Sequence, residues 1–103
     1  MKYSRDGNGG AGITNTTAAI PGTSALVTLA QPSTQIKITN YSLSTGNNTT
    51  LYVNLTGAAA TTASYAIPAS PNGANTLTYD GAPISSFTVL GSAAADSFGV
   101  LAY

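Results

Sequence analysis

The sequence predicts an all-β fold: a single small antiparallel β-sandwich or jelly-roll-like barrel of about eight short strands. Three observations carry this expectation. Apolar and polar residues alternate with a period of two in short runs that hold most of the β-branched and aromatic residues. Clusters of Gly, Pro, Asn, Asp and Ser punctuate those runs roughly every 8–12 residues. No stretch sustains the three-to-four spacing of an amphipathic helix.

Residues 1–12 are rich in Gly and Asn and hold half of the charged side chains, Lys2, Arg5 and Asp6. They read as a flexible N-terminal arm ahead of a domain spanning 13–103. Alternation begins at Ile13. Ala25–Ala30 places Leu26, Val27 and Leu29 between Pro21-Gly22 and Pro32. Gln35–Asn40 sets Ile36 and Ile38 on one face and Lys37 and Thr39 on the other. Ser44 to Asn48, through Gly46, is a turn. Thr50–Leu55 turns Leu51, Val53 and Leu55 inward, with Tyr52 and Asn54 outward.

Gly57–Thr62 reads as a loop, because its alanine run is too short for a helix. Ser64–Ile67 is a short strand stopped by Pro68, and Pro71-Asn72-Gly73 is a turn. Asn75–Tyr79 and Ile84–Leu90 follow as two strands. Asp80-Gly81 between them is a favoured tight-hairpin pair. Ile84 is out of phase with Phe87 and Val89, which predicts a bulge near Ser85-Ser86. Phe98–Tyr103 forms the last strand.

Composition excludes whole classes of chemistry. Only 6% of the 103 residues are charged, the net charge is zero, and there is no His, Cys, Glu or Trp. Without His or Cys, disulfides and zinc or copper sites lack their usual ligands. The acids of the domain, Asp80 and Asp96, read as turn and loop or cap residues rather than as a catalytic pair or a calcium site. A Ser–Lys mechanism would need Lys37, which sits on the solvated face of a strand. No catalytic, cofactor-binding or metal residue is assigned, and an enzyme is not expected. Three basic residues do not make a nucleic-acid footprint. No apolar run approaches a membrane span, and no secretory signal follows the charged start, so the expectation is either synthesis as a soluble protein or a mature fragment whose signal was removed.

What remains is surface. Few charges and zero net charge favour association. Tyrosines are enriched at interfaces because they combine an apolar ring with a polar tip. The candidate interface residues are therefore Lys2, Tyr3, Arg5 and Asp6 of the arm, with Tyr52, Asn54 and Tyr103 of the domain. Asn-X-Ser/Thr occurs at Asn15, Asn40, Asn47, Asn48 and Asn54, which abundant Asn and Thr supply by chance. The threonines form no regular repeat of the kind an ice-binding face would need.

The strand sequences also have a family texture. Gln35-Ile36-Lys37-Ile38-Thr39-Asn40, Leu51-Tyr52-Val53-Asn54-Leu55, Ala66-Ile67-Pro68 and Ile84-Ser85-Ser86-Phe87-Thr88-Val89-Leu90-Gly91 follow one another over about three quarters of the chain. This series resembles the small β-sandwich structural proteins of tailed bacteriophages. The resemblance implies a capsid decoration, or cement, protein, made in the host cytoplasm and residing on the virion surface. Its partners would be the major capsid protein and copies of itself in a trimer or another symmetric cluster, with no cofactor, nucleic acid or membrane. The Gly-rich start departs from that pattern and would serve as an arm reaching a neighbour. The alternative is a carbohydrate- or receptor-binding β-sandwich module of a phage fibre or tail, with tyrosines and Asn/Thr side chains as its contacts.

Overall fold

The computed structural model describes residues 12–45, 47–70, 74–92 and 96–103. The proposed arm, apart from Gly12, and the Pro71-Asn72-Gly73 turn lie outside them. The described residues form one antiparallel sheet of six strands. The strands are β1 (Thr14–Ala19), β2 (Ala25–Asn40), β3 (Leu51–Asn54), β4 (Tyr65–Ile67), β5 (Thr76–Gly91) and β6 (Ser97–Ala102). Their order across the sheet is β1-β6-β2-β5-β3-β4. The only helical element among the described residues is a short 3-10 turn, Ser42–Thr45, where the sequence places a turn.

Six strands stand where about eight were expected, because two pairs merge. Ala25–Ala30 and Gln35–Asn40 are both parts of β2, and Asn75–Tyr79 and Ile84–Leu90 are joined within β5. Pro32 does not stop β2, because the ladder is already broken there. Thr28 pairs with Ser86 and Ser33 with Ile84, so β2 carries the extra residues, and Pro32 sits among them. A proline without an N–H is tolerated at such a bulge. The irregularity therefore does fall opposite Ser85, as the phase of Ile84 predicts, but the surplus residues belong to the partner strand.

The Asp80-Gly81 hairpin is not formed. Asp80 pairs with Gln35 inside a continuous strand, and the next pair is Ile84 with Ser33, so β5 bulges across Gly81 to Pro83. A tight hairpin of this type needs positive φ at both central residues. Among the described glycines only Gly57 has one, with φ +93°. What Gly81 supplies is room. A Cβ there would lie 2.9 Å from the Tyr79 hydroxyl, which donates a hydrogen bond to the Ala82 carbonyl (2.8 Å).

The long strands bend. Sixteen extended residues would span about 50 Å, more than the 39 Å long axis of the molecule. β6 pairs with Ile36–Asn40 of β2, whereas β3 pairs with Thr88–Gly91 of β5, at the opposite end of the β2–β5 ribbon. Inward side chains from both ends meet in one core. Ile36 and Ile38 of β2 and Phe98, Val100 and Ala102 of β6 join Leu51, Val53, Ile67, Phe87 and Val89. Alternation placed these residues correctly. Leu55, expected inward, is half-buried at the margin, and Leu26 is 64% exposed.

Candidate functional site

No cluster of three or more His, Cys, Asp or Glu side chains occurs among the described residues. The outward face of the β1-β6-β2-β5 part is built from rows fixed by the strand register. Asn15, Leu101, Lys37 and Thr78 form one row, and Thr17, Gly99, Thr39 and Thr76 form the next. Thr39 and Thr76 are linked through their hydroxyls at 3.3 Å.

Tyr41 closes this face at one end. Residues 37, 39 and 41 share the outward parity of β2. The Tyr41 backbone N–H donates to the Ser97 carbonyl (3.0 Å), and its ring leans back over Gly99. A Cβ on Gly99 would stand 2.7 Å from Tyr41 Cε2, so the glycine is what lets the ring lie down on the sheet. Tyr41 remains 39% exposed, while Gly99 beneath it is buried. The result is a groove of about 240 Å³ lined by Asn15, Thr16, Thr17, Lys37, Thr39, Tyr41, Gly99, Val100 and Leu101. Its walls carry hydroxyls, an amide, one ammonium, one aromatic ring and the aliphatic Leu101 and Val100.

A second groove, of about 330 Å³, lies beside the sheet margin and is mainly apolar. Val53, Asn54, Leu55, Thr56, Ser64, Tyr65 and Leu77 line it, and Tyr65 is 61% exposed.

The candidates named from sequence are dispersed. Lys2, Tyr3, Arg5 and Asp6 lie outside the described residues. Tyr52 is half-buried between its partners Leu90 and Ala66. Asn54 Oδ1 accepts from the Thr56 N–H (2.8 Å) and hydroxyl (2.6 Å), which makes Asn54 a turn-forming residue as well as part of the second groove. Tyr103 is half-buried at a third, smaller hollow with Gln35, Lys37 and Leu101. Its backbone continues the pairing to Gln35. The sequence did not single out Tyr41 and Gly99 as a pair. The available signal was parity with Lys37 and Thr39, but the partner glycine is 58 residues away and only the β2–β6 register brings it underneath.

The remaining polar residues do internal work. Asn40 is fully buried. Its Nδ2 donates to the carbonyls of Thr49 (2.8 Å) and Ile67 (2.9 Å), and its Oδ1 accepts from the Ser42 N–H (2.9 Å) and hydroxyl (2.6 Å). Asp96, 4% exposed, accepts from Asn47 Nδ2 (2.8 Å) and the Thr49 hydroxyl (2.5 Å). These groups tie the chain after β2 to the starts of β3 and β6. At Asn40 and Asn54 the residue two places on donates its N–H to the asparagine in an Asx turn, and its hydroxyl adds a second bond to the same oxygen.

No protein-family model matches the chain, and no curated protein matches it.

Proposed function

We propose that the chain is a structural virion protein, a capsid decoration protein that works by surface contact with a phage head and with its own copies. The observation that carries this reading is the bareness of the exterior. Among the described residues only Lys37 and Asp80 are exposed charges, since Asp96 is buried in internal hydrogen bonds. Such a surface can lie against a shell without desolvating ions, and its contacts are insensitive to screening.

The same reading takes the bent sheet as a sandwich, its two ends folded face to face across the shared core. The near-complete burial of Ile36, Ile38, Leu51, Val53, Phe87, Val89, Phe98 and Val100 in one cluster supports this, because the face of a flat sheet with nothing packed on it stays open to water. Trimeric assembly and contact with the major capsid protein belong to the same proposal. Mass spectrometry of purified virions tests it: the chain should be present in stoichiometric amount, and its absence from intact particles would refute the reading. Light scattering of the isolated protein should give a closed multimer rather than a monomer.

A further inference from the structure

We propose that the groove under Tyr41 is a saccharide-binding site with a preference for sugars that bear a carboxylate. The inference takes up the carbohydrate alternative at a place the sequence did not mark, and it does not depend on the virion reading. A pyranose ring is amphipathic: it has an apolar C–H face and a rim of hydroxyls. Its recognition needs an aromatic surface beside donors and acceptors at the ring edge. Tyr41 supplies the surface, held by backbone pairing to Ser97 and seated on Gly99. Asn15 and Thr17 of β1 and Thr39 of β2 supply amide and hydroxyl partners from the two sides of β6, in fixed register. They stand on strands rather than loops, so little ordering is required on binding.

Lys37 supplies the discrimination. It lines the groove and is the only cation among the described residues. An ammonium at the rim favours a carboxylate-bearing sugar over its neutral analogue. The lining is mixed, with Leu101 and Tyr41 beside the hydroxyls and amide, which suits a ring with an apolar face and a polar rim, and one cation is too few for a nucleic-acid backbone. The second groove, around Tyr65, is mainly apolar and has no charged group to set a preference.

The test uses the full chain, labelled with nitrogen-15, against a panel of neutral, sialylated and uronic-acid oligosaccharides, first arrayed and then titrated by NMR. The expected result is binding to an acidic member, with amide shifts confined to Asn15, Thr17, Lys37, Thr39, Tyr41 and Gly99. Lys37→Met should bring acidic and neutral affinities together. Tyr41→Ala should weaken binding by about tenfold or more. Gly99→Ala should do the same by lifting the ring, while the dispersed spectrum shows that the fold is intact. No shift with any panel member at about 10 mM, a concentration that reveals even millimolar binding, would overturn the proposal. So would a shift map centred on Tyr65, or unchanged affinity in both Tyr41→Ala and Gly99→Ala. None of these results touches virion incorporation, which mass spectrometry reads separately.

Discussion

Asn40→Ala should cost far more stability than Asn54→Ala, although both remove the same local turn. In each case the asparagine Oδ1 accepts the N–H and hydroxyl of the residue two places on. The difference is tertiary. Asn40 is fully buried, and its amide also donates to the Thr49 and Ile67 carbonyls, 9 and 27 residues away. Truncation takes a donor from the Ile67 carbonyl and from the Thr49 carbonyl, which still accepts from the Ser42 hydroxyl (3.1 Å), and leaves the buried Ser42 N–H without the carboxamide oxygen. At about 1 kcal/mol for each of these three groups, with a little more for the void, the loss is about 3–4 kcal/mol. For a domain of this size that lowers Tm by about 12–30 °C. Asn54 is only half-buried, and water can replace the lost partner, so about 0.5–1 kcal/mol is expected there. Urea and thermal denaturation followed by circular dichroism measure both. If the two variants lose stability equally, within about 0.5 kcal/mol, then Asn40 is not a tertiary tie and the account given of it fails. Asn40→Asp should be worse than alanine near neutral pH, since a carboxylate would face two carbonyls in a dry site.

Other outcomes follow from single features. Phe87 is wholly buried at the centre of the core, so Phe87→Ala should cost about 3–5 kcal/mol and leave little folded protein by circular dichroism at 37 °C. Gly57 adopts φ +93° with open space around it. Gly57→Ala should therefore lose about 1–2 kcal/mol through backbone strain alone, read as a lower urea midpoint with an unchanged slope. With only Lys37 and Asp80 as exposed charges among the described residues, Tm should move by less than about 3 °C between 20 mM and 500 mM sodium chloride; a larger rise or fall would show that ion pairs elsewhere in the chain contribute to stability.

Alternation alone marked the chain as all-β and placed most of the core. A period of two places Ile36, Ile38, Leu51, Val53, Phe87 and Val89 on one side without any knowledge of strand pairing. Composition alone showed that His, Cys, Glu and Trp are missing from the chain. Strand length was legible only in part. Pro32 and Asp80-Gly81 are local stop signals, yet both lie inside long strands, because pairing between β2 and β5 resumes beyond the bulges and overrides the local preference. The groove beside Tyr41 was legible only in part. Lys37, Thr39 and Tyr41 share a parity that the sequence shows, but Gly99, Thr17 and Asn15 join them only through register across β6 and β1. Asn40 looks like any other polar residue at a strand end until β4 and the Thr49 segment close over it. Patterning depends on which face a residue takes, which the chain carries locally. A site depends on which distant residues share that face, and only the assembled sheet decides that.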